Sequence, residues 1–146
     1  MSRPLALALC LMAAPAAAQD VLPCDGFVAS ARNVLWSDPT RTFADGAVRF
    51  VHLDTGGEPV CCSSHLMVTY PSPEDPGDLC VLISAKGTQG WQSLSLARAK
   101  ASYEPATGLT VRVPASEHGE VHPTPLSVVV TINRQTGVIR AAYGSP

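Results

Sequence analysis

Four residues with soft or redox-active side chains fall close together in the run EPVCCSSHLMVTY: Cys61, Cys62, His65 and Met67. As thiolates, imidazole and thioether they form a donor set suited to Cu(I). Oxidised, the adjacent cysteines can close on each other in an eight-membered ring, or each can bridge to a distant cysteine. A second set is His118, Glu120 and His122 in EHGEVH. If that stretch is extended, all three point the same way, and two imidazoles with a carboxylate can hold Zn²⁺ or Cu²⁺. Gly119 and Pro123 favour the plainer reading, a solvated connection between strands. A third candidate is Asp54-Thr55-Gly56, which follows an apolar run in HLDTGGE.

The C-x2-H-x-M spacing from Cys62 to Met67 resembles the ligand loop of blue-copper proteins. It departs from that family in having two cysteines, and the second histidine would have to be His52. The Asp-Thr-Gly stretch is similar to the active-site motif of retroviral-type aspartic proteases. That resemblance implies a dimer in which two Asp54 carboxylates share one proton and activate water. It would make the glycine-rich KGTQG at 86–90 a flap tip. The family's apolar-apolar-Gly motif near the C-terminus has no counterpart in TGVIRAAYG. Asp, Thr and Gly are also ordinary turn formers.

These groups must be placed by a chain that opens with MSRPLALALCLMAAPAAAQD. A basic Arg3, an apolar run from Leu5 to Ala14 and small residues at Ala16 and Ala18 have the form of a signal peptide. Cleavage is expected before Gln19, giving a signal peptide over 1–18 and a single β domain over 19–146. The apolar run is too short to span a bilayer, and no later one approaches it, so no transmembrane segment is expected in the mature chain. Leu9 before Cys10 speaks against a lipoprotein signal. Removing Arg3 leaves nine Lys and Arg against twelve Asp and Glu. That balance excludes a basic nucleic-acid groove. Composition rich in Ala, Gly, Pro and Arg suggests a GC-rich bacterial source, and the expected location is periplasmic or secreted.

Four cysteines remain after cleavage: Cys24, Cys61, Cys62 and Cys80. An even number in an exported chain predicts disulfides. If 65–70 and 80–85 form a hairpin with Tyr70 facing Cys80, Cys62 lies about 26 Å along the strand from the level of Cys80, at ~3.3 Å per residue. A disulfide requires Cα atoms within about 7 Å. Cys80 then pairs with Cys24, leaving Cys61 and Cys62 as a vicinal pair or as thiols. Without that hairpin, Cys61 and Cys62 bridge separately to Cys24 and Cys80. Both connectivities stay open.

Thirteen prolines and eleven glycines break the chain into short runs with period-two patterning. VRFVHLD (48–54) sets Val48, Phe50 and His52 against Arg49, Val51 and Leu53. LTVRV (109–113) and LSVVVTI (126–132) alternate in the same way, with Leu109, Val111, Val113, Leu126, Val128, Val130 and Ile132 inward. HLMVTY (65–70) and CVLIS (80–84) are continuous apolar runs that predict strands buried on both faces, with Met67 in the core. NVLW (33–36), LSLARAKASY (94–103) and VIRAAY (138–143) are read as further strands. EPATG (104–108) and NRQTG (133–137) each predict a hairpin whose glycine takes positive φ. Trp36 and Trp91 are assigned to the core. Together these features predict an all-β protein, an antiparallel β-sandwich or open barrel stabilised by one or two disulfides.

The chain carries no serine-nucleophile elbow, phosphate loop or metalloprotease helix, and the carboxylates of PEDPGD (73–78) lack calcium-loop spacing. The expected role is a non-catalytic binding or structural module outside the cytoplasm, with no cofactor and an unknown partner. The alternatives are a redox- or copper-active protein through Cys61, Cys62, His65 and Met67, and an aspartic protease through Asp54.

Overall fold

A computed structural model describes residues 19–56 and 61–146. The expected signal peptide lies outside the described residues. Ten strands follow in order: β1 Asp20–Pro23, β2 Thr40–Phe43, β3 Val48–Asp54, β4 Ser64–Pro71, β5 Asp78–Ser84, β6 Ser93–Leu94, β7 Lys100–Glu104, β8 Gly108–Glu117, β9 Thr124–Asn133 and β10 Val138–Gly144. One sheet has the order β1-β5-β4-β3-β2; the other runs β10-β9-β8-β6, with β7 also on β8. Every pairing is antiparallel. This is the all-β, antiparallel architecture that the alternation predicts.

The inward residues of both sheets meet in one core. Val48, Phe50, Leu66, Val68 and Ile83 of the first sheet pack with Leu109, Val111, Val113, Val128, Val130 and Ile132 of the second. Mostly β-branched and aromatic, these side chains fit a pleated surface and bury apolar area on one face. Trp91 is fully buried among them. Gly108 and Gly137 close the two expected hairpins with φ of +93° and +68°. At Gly108 a Cβ would also come within 2.3 Å of the Ile132 carbonyl oxygen, so glycine is required there twice over.

The hairpin of β4 and β5 forms, but one residue out of the expected register. Thr69 faces Cys80, and Tyr70 faces Leu79. Such a slip swaps the faces of one strand. Leu79, Val81 and Ile83 turn toward the core side with Tyr70, Val68 and Leu66; Cys80 and Leu82 turn to the outer face with Thr69 and Met67. Met67 is therefore half-buried on that outer face rather than in the core. Cys24 continues β1 past Pro23 to a position opposite Cys80, and the two form a disulfide with Cα atoms 5.5 Å apart.

Two expected elements differ, and with the first the place of Trp36. Residues 33–36 are not a strand: a short 3-10 turn spans Ala31–Asn33, and Val34 makes a single bridge to Leu53. The Asn33 amide donates to the carbonyls of Phe27 and Val28, which folds the segment back on itself. Trp36 stands 77 % exposed, not in the core. The run 94–103 is two short strands separated by a turn, in which the Ala99 N–H bonds the Leu96 carbonyl. The Asp38 carboxylate holds that turn by accepting the N–H groups of Leu96 and Ala97 at 2.6 and 2.9 Å.

Candidate functional site

The polar residues with chemical potential gather at the end of the sandwich where β3 finishes and β4 begins. Cys61 and Cys62 are joined to each other by a disulfide just before β4. Cys62 adopts φ +76°, a left-handed conformation that costs a non-glycine residue about 1–2 kcal/mol. The Cys62 carbonyl accepts the Gly90 N–H at 2.7 Å, and Ser64 and Trp91 exchange two backbone hydrogen bonds at 3.1 and 2.8 Å. Gly90 is wedged here. A Cβ would lie 2.2 Å from the Ser64 carbonyl oxygen and 2.9 Å from both the Cys62 oxygen and His65 Nε2. This clamp carries the chain from the first sheet to the second, since the Gln92 N–H bonds the Ser116 carbonyl.

Beside the clamp is a cleft of about 350 Å³ lined by Cys62, Lys86, Gln89, Glu117, His118 and Tyr143. Lys86, Gln89 and His118 are exposed, whereas Cys62, Glu117 and Tyr143 are half-buried. The Tyr143 hydroxyl donates to Glu117 Oε1. Burial, and then that hydrogen bond, push the phenol up to about 12, so it stays protonated as a donor. The cleft thus joins a disulfide-bonded cysteine, a lysine, a carboxylate, an imidazole and a phenol along one concave surface.

His65 stands beneath it, 1 % exposed. Its Nδ1 lies 2.8 Å from Ser84 Oγ, with Ser84 fully buried on the adjacent strand. Burial lowers the imidazole to about 4, against the opposing pull of the Asp54 charge, so it is neutral at pH 7. The serine–histidine pair is closed off from solvent and holds β4 to β5. His52 is 2 % exposed, with Nδ1 3.4 Å from Asp38 Oδ2. Burial lowers its affinity for protons more than Asp38 raises it. The contact is therefore a long hydrogen bond to a neutral ring, not an ion pair. His52 Nε2 is buried with no hydrogen-bond partner among the described residues.

Asp54, Thr55 and Gly56 form a turn at the end of β3. The Gly56 N–H donates to Asp54 Oδ1 at 2.9 Å, and the Thr55 N–H to the Ser63 carbonyl at 3.1 Å. A hydrogen bond from the Ser63 side chain, foremost, holds the Asp54 carboxyl below its ordinary range. Each of these bonds serves the loop itself.

The metal-binding alternatives are not assembled. Cys61 and Cys62 share a disulfide, His65 bonds Ser84, and Met67 lies on the outer face opposite Val51 and Leu82. His118, Glu120 and His122 stand on an irregular loop rather than an extended strand, and all three are exposed. That loop folds back so closely that a Cβ at Gly119 would lie 2.2 Å from the His122 carbonyl oxygen. The alternation that would align the three side chains therefore does not apply. Among the described residues, no three His, Cys, Asp or Glu side chains converge as a ligand set.

Lys86, Gln89, Glu117 and Tyr143 escape sequence reasoning because they come from three separated segments and share no local motif. A second, apolar cleft of about 470 Å³ lies near the Cys24–Cys80 bridge, lined chiefly by Leu22, Pro23, Phe27, Val28 and Leu82. Phe27 is 56 % exposed there, with the Arg32 guanidinium 5.0 Å from its ring centre. Among the described residues, no helix is long and apolar enough to cross a membrane. No protein-family model, no curated protein and no solved structure matches this chain.

Proposed function

We propose that the chain is exported from a bacterial cell with loss of residues 1–18, and acts outside the cytoplasm as a non-catalytic binding module. Its ligand site is the cleft between Cys62 and His118. The observation that carries this reading is the convergence of Lys86, Gln89, Glu117, His118 and Tyr143 on one concavity. The histidine–serine pair, by contrast, is sealed away from any substrate. A ligand suited to this lining is small and polar, with an anionic group for Lys86 and a hydrogen-bond partner for the Tyr143–Glu117 pair. A small-molecule fragment screen read by amide chemical shifts tests the reading. Saturable shifts clustered at 86–90, 117–118 and 143, abolished by Lys86→Ala/His118→Ala, support it. Binding confined to the apolar cleft around Phe27, or none at all, removes it.

A second reading is favoured by one observation: Cys62 of the Cys61–Cys62 disulfide lines this cleft. An incoming thiolate attacks one sulfur, forms a mixed disulfide and releases the other cysteine as a thiolate. Attack by a second thiolate then yields the Cys61–Cys62 dithiol and an oxidised thiol pair. Lys86 and His118 would favour the released anion. Thiol titration of the native protein under mild reductant decides it: two new thiols that disappear on reoxidation support exchange, whereas none before denaturation excludes it.

A further inference from the structure

Strand β7, KASYE, is an edge of the second sheet, and all five of its residues are exposed. It pairs with β8 on one side and, among the described residues, with no strand on the other. Other edges are tied down. Arg41 of β2 donates to the Leu96 and Ala97 carbonyls at 3.1 and 2.9 Å, and on β10 the Ala141 carbonyl accepts the Gln19 N–H at 3.1 Å. On β7, Glu104 pairs with Gly108 where the hairpin closes, so the Glu104 N–H and C=O point toward β8. Alternation along an antiparallel strand turns those of Ser102 and Lys100 the same way, and those of Ala101 and Tyr103 outward. An open edge of this kind is a template for another strand.

The side chains add a second requirement. Lys100, Ser102 and Glu104 share the outer face of the sheet with Arg112, which lies directly opposite Lys100. Two cations facing each other across a ladder repel. Among the described residues, neither of them nor Glu104 is in an ion pair.

We propose that β7 is a docking edge for a second copy of this chain, which pairs with it antiparallel about a twofold axis at Ser102. In that register Ala101 of each copy faces the partner's Tyr103, and each such pair exchanges two backbone hydrogen bonds. Lys100 of each copy faces the partner's Glu104, so the carboxylate that the Lys100–Arg112 row lacks comes from across the axis. A twofold contact demands such self-complementarity, and the order Lys-Ala-Ser-Tyr-Glu supplies it. Neighbouring registers fail. A shift by one residue sets the outward groups of one copy against residues already bonded to β8. A shift by two sets Ala101 against Pro105, which has no N–H, or Tyr103 against the buried Ala99. The contact is small, so the dimer should be weak, reversible and salt-sensitive. It leaves the cleft at Glu117 and His118 free at the other end of β8 and does not depend on what that cleft binds.

The test is sedimentation equilibrium of the full-length gene product with its disulfides intact, from micromolar to millimolar concentration. The wild type should pass from monomer to dimer. Lys100→Glu and Glu104→Lys should each weaken association at least about tenfold, because two pairs per dimer change from opposite to like charge. Lys100→Glu sets a carboxylate opposite Arg112, so that variant should keep its fold. An equimolar mixture of the two variants should form a heterodimer, and the double variant should regain wild-type association. Hydrogen exchange of the wild-type Ala101 and Tyr103 amides should slow as concentration rises. A chain that stays monomeric to millimolar concentration overturns the proposal. So does a dimer that ignores the charge reversals, a mixture without heterodimer, or association that leaves those two amides unprotected.

Discussion

The burial of His65 makes the stability of this protein depend on pH in a defined window. The ring is 1 % exposed and is held at about 4, against 6.5 for an ordinary histidine. As pH falls from 7, the unfolded chain takes up the proton first. Stability is therefore complete above pH ~6.5 and declines as pH falls toward 4, after which this group contributes no further slope. The gap corresponds to at most about 3 kcal/mol, at ~1.4 kcal/mol for each tenfold change in proton affinity. His52 is shifted in the same direction and adds to the decline. Asp54 changes stability with the same sign, in a lower window. Its carboxyl lies below 3.8 in the folded state, so its stabilisation is lost only as pH falls through that lower value, beneath the histidine window. The perturbation is His65→Gln, which keeps an amide able to bond Ser84 and has no proton to gain. The assay is urea unfolding from about pH 7.5 to about pH 4, with unfolding free energies compared at each pH. The wild type should lose up to about 3 kcal/mol more than the variant across that range. Parallel curves, or a His65 ring that titrates near 6.5 in the folded protein, would refute the assignment.

Breaking the Cys24–Cys80 bridge by double substitution to alanine should cost up to about 4 kcal/mol, because it closes a loop with a sequence separation of 56. Urea unfolding checks the figure, and a loss below ~1 kcal/mol would mean that the bond does little to restrain the unfolded chain. Gly90→Ala should destabilise by at least about 3 kcal/mol, since its Cβ meets two backbone oxygens. Gly26→Ala, at φ +75° in open space, should cost only about 1–2 kcal/mol, and the two variants are compared by melting temperature. Tyr143→Phe should abolish the tyrosine absorbance step near 12 and cost about 1–2 kcal/mol through the unpaired Glu117. In the wild type the unfolded chain releases the Tyr143 proton before the folded one does, so stability from this group should fall between pH ~10 and ~12.

Where one strand face is apolar, the sequence is legible. Val48, Phe50, Leu109, Val111, Val113, Val128, Val130 and Ile132 point inward as their alternation requires. The continuous runs of β4 and β5 offer no such contrast, so nothing in the pattern fixes their register, and the pairing lies one residue from the expected one. Other features depend on distant partners. The turn inside 94–103 is held by Asp38, far away in sequence. The apolar look of 33–36 conceals an asparagine whose amide ties the segment to Phe27 and Val28. The Cys24–Cys80 pairing was reachable because a long lever along a strand tolerates a one-residue slip. The cleft was not reachable, since only the sandwich brings Lys86, Glu117 and Tyr143 together.

β1 differs from its neighbours in one respect that bears on how the molecule comes together. Strands β2 to β5 pair each with the next, and β7 to β10 do likewise, so both groups can zip from short-range contacts. β6 skips one strand to reach β8, but β1 skips three, and its partner β5 starts more than fifty residues later. The head of the chain thus has no partner until β5 has been made. It is then laid against β5 as the edge strand of the first sheet, and the bond from Cys24 to Cys80 fastens it there.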